Sequence, residues 1–345
     1  MDVARMQAAA GSIDGACPAI PARRGAPAAS LPRRALLAGL LAAPACGGRA
    51  RAQAGADGAA VTLPGATERL LTARGGAAYR LMIGKPPGDP PAAGWPVLYL
   101  LDGNAAFATA YHAMRSQSAR PVGTGVLPAL VVGIGYPTEE MLDLRRRALD
   151  YTPALPPRAA GDPPPAPDLF PAPGPTGGAE AFLDLLAETV QPAVAAAHPV
   201  DARRQALFGH SYGGLLVLHA LFTRPGGFRD YLAISPSIWF GDRLVLREEA
   251  RFAAAPVPAG LGLFMAVGGE EQSLPPGQRQ SPDAAARAAL LGRRAMVEGA
   301  RAMAGRLAAL PGLRTEFVEA AGENHASVVP TVMSRALRFA FSPAG

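Results

Sequence analysis

The sequence predicts an α/β fold with a mostly parallel central sheet and helices on both faces. Three observations predict it. Short apolar runs alternate with longer helical stretches. Two early runs, 96–101 ("PVLYLL") and 127–134, carry no polar alternation, as expected of strands buried on both faces. A glycine-rich turn, "GHSYGG", sits between a strand-like run and a helical one.

The elements follow in order. Residues 79–83 read as a strand, ended by the turn-forming "GKPPGDPPAAG". The runs 96–101 and 127–134 are the next strands. Ten prolines between Pro153 and Pro175 mark 152–178 as a long irregular insertion, because proline cannot donate a sheet hydrogen bond and breaks helix interiors. Such a segment reads equally as a binding loop or a low-complexity insertion. Residues 179–197 are helical, with apolar Phe182, Leu183, Leu186, Val190 and Val194 on one face. A strand at 205–208 and a helix at 212–223 flank the glycine-rich turn. Residues 231–234, 261–267 and 313–318 are further strands. Residues 283–310 form one long helical stretch, and 325–341 end the chain as a helix. No internal repeat interrupts this pattern.

The chain has 345 residues, 49% hydrophobic and 17% charged, which suits a large globular core. It carries 33 basic and 27 acidic residues, but seven of the former and only two of the latter precede Gly55. The remainder is therefore near +1. A basic balance confined to a removable leader gives no footprint for nucleic acid.

Residues 1–54 read as an export signal. Arg33-Arg34 is followed by an apolar stretch, 35–45, too short to span a membrane, and then by the small-x-small site Ala52-Gln53-Ala54. The order is that of a twin-arginine signal, with a periplasmic or secreted destination. Lipid anchoring through Cys46 is a minor alternative, since Ala43-Pro44-Ala45 fits a lipoprotein site poorly. Cys17 and Cys46 are the only cysteines, so 55–345, read as a single domain, has no disulfide, no Cys-ligated metal and no thiol nucleophile.

Chemistry concentrates in the turn. Gly209-His210-Ser211-Tyr212-Gly213 fits G-x-S-x-G between strand and helix, the strand-turn-helix elbow of an α/β-hydrolase. A side chain at Gly209 or Gly213 is expected to crowd it, and Gly214 to allow close backbone approach. The elbow would expose the Ser211 hydroxyl and aim the Tyr212 N–H at a developing oxyanion. A serine needs a base. His325, in the polar loop "AAGENHASVVP" after the last strand, has the expected place, whereas His112, His198 and His219 do not. His210 lines the pocket. A carboxylate after an intermediate strand would orient the base. "LGLFMAVGGEEQS" offers Glu271 first and Glu270 second, with Asp242 behind them, and a Ser-His dyad also stays open. The second oxyanion donor should come from the loop after an early strand, which points to the N–H of Asn104 in "LLDGNAAF".

Four stretches, "VLYLLDGNAAF", "FGHSYGGLLVLHALF", "YLAISPSIWF" and "GENHASVVP", together resemble the "putative esterase" branch of the α/β-hydrolases. That branch includes siderophore esterases of the enterobactin type and the esterase D group. The resemblance spans about 61–342 apart from the proline-rich insertion. It implies Ser211 as nucleophile, His325 as base, Tyr212 and Asn104 as oxyanion donors, and no cofactor or metal. The acid carries over least well, because the siderophore branch is similar to a Ser-His dyad system. "RRRALDYTP" resembles an arginine-bearing segment near the substrate, so Arg146 and Arg147 are candidates to meet an anionic catecholate, the alternative being a solvated basic helix end, with Trp239 also lining the site.

The expectation is an exported serine esterase acting on a small-molecule ester, with a siderophore trilactone as the leading substrate and no stable membrane insertion. Two other functions stay open. One is acyl transfer on the same machinery. The other is ligand binding without catalysis. The sequence is silent on oligomeric state.

Overall fold

In the computed structural model, residues 61–157 and 174–343 are described, and those from Val61 on belong to one unit, Ala60–Gly345. The export-signal reading and the centre of the proline-rich insertion lie outside the described residues.

Eight strands form one sheet: β1 (Ala66–Thr72), β2 (Ala78–Gly84), β3 (Trp95–Leu100), β4 (Leu130–Gly135), β5 (Val200–His210), β6 (Asp230–Ile234), β7 (Leu261–Gly268) and β8 (Leu313–Ala320). Their order is β1-β2-β4-β3-β5-β6-β7-β8. β1 and β2, and β2 and β4, pair antiparallel, while every pair from β4 through β3 to β8 is parallel.

The apolar runs form central strands because both of their faces are covered. β3, β4, β6 and β7 are buried at every residue. Alternate side chains enter different cores. Leu98, Phe208, Leu232 and Phe264 pack with α1 (Gly103–Ser118) and α10 (Val328–Phe341). Tyr99, Leu207, Tyr231 and Leu263 pack on the opposite face with α4 (Ala179–Leu185), α6 (Tyr212–Thr223), α7 (Phe240–Ala253) and α9 (Met296–Ala308). Each such Leu or Phe contributes about 1.5–3 kcal/mol on burial. Two short helices, α2 (Pro121–Thr124) and α3 (Leu144–Asp150), flank β4.

Several expected boundaries move. β1 carries a mostly exposed edge and shows no apolar run. The helix expected at 179–197 is α4, a π-helical turn (Leu186–Val190) and α5 (Gln191–Ala197). Pro192, inside it, has no N–H for the carbonyl four residues back. The stretch expected as one helix over 283–310 is broken at Ala295, which is left-handed at φ 46°, between α8 (Ala284–Arg294) and α9. α8 buries only Leu290, whereas α9 buries Met296, Val297, Ala300, Met303, Ala304 and Leu307 against the sheet. The break separates a surface helix from a core helix. The last helix starts at Val328, so His325 lies in the turn before it.

β3 and β5 are neighbours, but the chain leaves β3 for β4 on one side and β5 for β6 on the other. A crevice opens at the carboxyl ends of strands where the order reverses in this way. The loops after β3 and β5 meet there.

Candidate active site

Ser211 sits between β5 and α6 at φ 61°, ψ −116°, a backbone conformation that side chains rarely adopt. Such strain persists only where the surroundings enforce it. Here the Ser211 N–H donates to the Ile234 carbonyl at 3.0 Å, and the Ser211 carbonyl accepts from Leu215 and Ser237. Two glycines make the turn possible. A Cβ on Gly209 would lie 2.3 Å from the Gly213 carbonyl oxygen, and one on Gly214 would lie 2.8 Å from that of Ile234. Gly213 departs from expectation. A Cβ there would meet its nearest neighbour at 3.5 Å, an ordinary contact.

His325 brings its Nδ1 to 2.6 Å from Glu271 Oε2. The other carboxylate oxygen of Glu271 accepts from the Gly268 N–H at 2.7 Å and from the Ser235 hydroxyl. The imidazole is about half exposed (46%), while the Glu271 side chain is buried at 1%. Glu270 is exposed and ties in through its backbone, donating to the Glu323 carbonyl. Asp242 is exposed in a left-handed turn within α7. Of the three candidate acids, Glu271 is the one hydrogen-bonded to His325. Ser235 is a partner that the sequence reading missed. It is fully buried with φ 44°, and nothing in "AISPS" signals that conformation.

The ring of His210, the residue before the serine, lies 4.4 Å from the His325 ring, centre to centre. Burial, followed by the charges of His325 and Arg147, holds the His210 pKa well below 6.5. His210 is therefore a neutral wall beside the elbow. Trp239 is half-buried on the far side, its ring 6.0 Å from Tyr212 and stacked under the Arg294 guanidinium at 4.2 Å.

Asn104 is the second residue of α1. Its side-chain amide donates to the carbonyls of Tyr136 and Thr138, and its Oδ1 accepts from the Tyr136 N–H at 2.9 Å. These bonds fix the loop after β3 to the end of β4.

Arg146 and Arg147 differ from expectation. Arg146 stacks on Tyr79 and Tyr136 and donates to the Ala78 carbonyl at 2.7 Å, away from the elbow. Arg147 is 5% exposed and makes a two-bond pair with Asp102. Arg146 is drawn to the rings of Tyr79 and Tyr136, and Arg147 to Asp102 and the rings of Tyr151 and Tyr212.

The "Putative esterase" family model matches residues 166–285. The ferri-bacillibactin esterase BesA of Bacillus subtilis is 38% identical over 291 residues, covering 83% of this chain and 93% of BesA. This chain belongs to that esterase family. The BES protein of Bacillus cereus superposes on the esterase with a TM-score of 0.71 at 35% identity, covering 84% of this chain and all of the other. The siderophore hydrolase EstB of Aspergillus nidulans gives 0.69 at 32% identity, covering 83% and 98%. The α/β-hydrolase expectation holds for this esterase. Among its described residues no three His, Cys, Asp or Glu side chains are grouped to hold a metal, and no helix is long and apolar enough to cross a membrane.

Proposed function

We propose that this protein is a serine esterase that hydrolyses the ester bonds of a siderophore trilactone. The carrying observation is the strained Ser211 elbow, whose His210 ring lies 4.4 Å from that of His325, itself paired with Glu271. Ser211 Oγ attacks the ester carbonyl while the free Nε2 of His325 takes its proton. The Nδ1–H of His325 donates to Glu271, which stabilises the imidazolium. The N–H groups of Tyr212 and Asn104 hold the oxyanion. His325 returns the proton to the leaving alkoxide, and water, activated by the same base, releases the acid from the acyl-enzyme. Trp239 and Arg294 offer a flat aromatic and cationic surface beside Tyr212 for an anionic aromatic acyl group.

The siderophore assignment rests on relatives named ferri-bacillibactin esterase (BesA) and siderophore hydrolase (EstB). Residues 1–54 act as a twin-arginine export signal, and 55–345 is the catalytic domain.

The test is hydrolysis of p-nitrophenyl esters and of a ferric catecholate trilactone by 55–345, alongside Ser211→Ala. Trilactone cleavage that Ser211→Ala abolishes supports the reading. Cleavage of simple esters without the trilactone would remove the siderophore assignment. Acyl transfer to an added alcohol in preference to water would make the enzyme a transferase.

A further inference from the structure

Asp102 precedes α1 as its N-cap, with φ 51°, ψ 47°. An aspartate at an N-cap with extended backbone turns its carboxylate onto the N–H of the second or third helical residue, whereas the left-handed Asp102 does not. Here those residues are Asn104 and Ala105. No side chain caps α1, and the Ala105 N–H is already satisfied by the Asp102 carbonyl at 2.9 Å. The carboxylate is held elsewhere. Arg147 Nε donates to Asp102 Oδ1 at 3.0 Å, and Nη2 donates to Oδ2 at 2.9 Å. The same Nη2 donates to the carbonyl of His210, the residue before the nucleophile, at 3.2 Å. The guanidinium lies over the rings of Tyr151 and Tyr212, and the Tyr151 hydroxyl accepts the Asp102 N–H at 3.1 Å.

We infer that Arg147 is a positioning residue that keeps the oxyanion hole vacant and sets its width. It withdraws the Asp102 carboxylate from the start of α1, so the Asn104 N–H stays free for substrate. It also ties Asp102 to the His210 carbonyl at the end of β5, each two residues before a proposed oxyanion donor. Without it, the Asp102 carboxylate is released to turn toward the start of α1 and the Asn104 N–H. A negative carboxylate then occupies the place where negative charge must develop in the transition state. A buried ion pair is a weak source of stability, since well-packed apolar residues often replace one without loss. Control of a neighbouring site gives this pair a role that stability does not.

The inference rests on the esterase reading and on Asn104 as a donor, and its test separates the two. Arg147→Met removes the clamp. Arg147→Met with Asp102→Gly also removes the carboxylate, and glycine suits the left-handed backbone. The measurements are kcat and KM on a p-nitrophenyl ester, the rate of Ser211 labelling by a fluorophosphonate, and thermal melting. The single variant should lose about 10²–10³-fold in kcat with little change in KM, as when one oxyanion donor is removed. The double variant should regain at least about tenfold, a sign reversal that additive structural damage cannot produce. Arg147→Lys, which keeps the charge but not the fork, should fall between wild type and Arg147→Met, and serves if Arg147→Met does not fold. Unchanged kcat in Arg147→Met, or a double variant no faster than the single, would overturn the clamp and leave the esterase reading intact. Wild-type protein unlabelled at Ser211 would overturn both.

Discussion

Glu271 Oε2 sits 2.6 Å from His325 Nδ1, and the acid is buried while the base reaches solvent. A buried carboxylate with three donors around it fixes one tautomer of the imidazole, leaving Nε2 to take the nucleophile's proton. Glu271→Gln should therefore lower kcat by about 10²–10⁴-fold with the fold intact. Glu270→Gln should stay within about twofold of wild type, because Glu270 is not bonded to the histidine. Side-by-side ester kinetics check the pair. Equal losses, or none at Glu271, would restore the dyad.

Two glycines of one motif should respond oppositely to alanine. A Cβ at Gly209 overlaps the Gly213 backbone at 2.3 Å, with β5 and the elbow fixed on either side. Gly209→Ala should destabilise the fold and suppress activity together. Gly213 lies in the first turn of α6 with 3.5 Å of room. Gly213→Ala should gain about 0.5–1 kcal/mol, since alanine is the better helix former. Urea unfolding of both variants measures the contrast. A loss at Gly213 equal to that at Gly209 would mean that the elbow needs both.

The elbow was legible because its constraint is local. Strand, small residues, serine and helix are contiguous, and only small residues tolerate those contacts. Glu271 and His325 were legible from their places after β7 and β8, although choosing between adjacent glutamates required side-chain directions. Arg147 was not legible. One arginine in "RRRALD" resembles another until Asp102 adopts a left-handed backbone and the rings of Tyr151 and Tyr212 lie against the Arg147 guanidinium. Ser235 was hidden for the same reason, since its role depends on a positive φ between β6 and α7. The break at Ala295 has no marker in the sequence and follows from which helix the sheet can bury.

The N-terminal reading makes a prediction independent of the fold. A twin-arginine signal is recognised by its arginine pair. Residues 1–54 fused to a folded reporter should deliver it across the bacterial inner membrane. Arg33→Lys with Arg34→Lys should leave the reporter in the cytoplasm, although the charge is unchanged. Fractionation of cells checks both. Export that survives the double change would point to the general secretory route, and acylation at Cys46 to a lipoprotein.

His219, on α6, is buried at 4% exposure, with Nδ1 2.9 Å from Glu248 of α7 and Nε2 2.9 Å from Glu180 of α4. Arg224 holds Glu180 and Asp184 from the outer side. Burial alone pushes the His219 pKa down, but the bonds and charges of Glu248 and Glu180 outweigh it, and the net shift is upward from 6.5. A histidine whose folded pKa exceeds its unfolded value binds its proton more tightly when folded. Its contribution is complete below about 6.5 and declines as pH rises through the raised value. His219→Gln should therefore cost more stability at about pH 6 than at about pH 9. Urea unfolding at the two pH values measures the difference. A gap that is flat or widens with pH would show that His219 is neutral in the fold, and that the three helices are joined by neutral hydrogen bonds instead of a charged clasp.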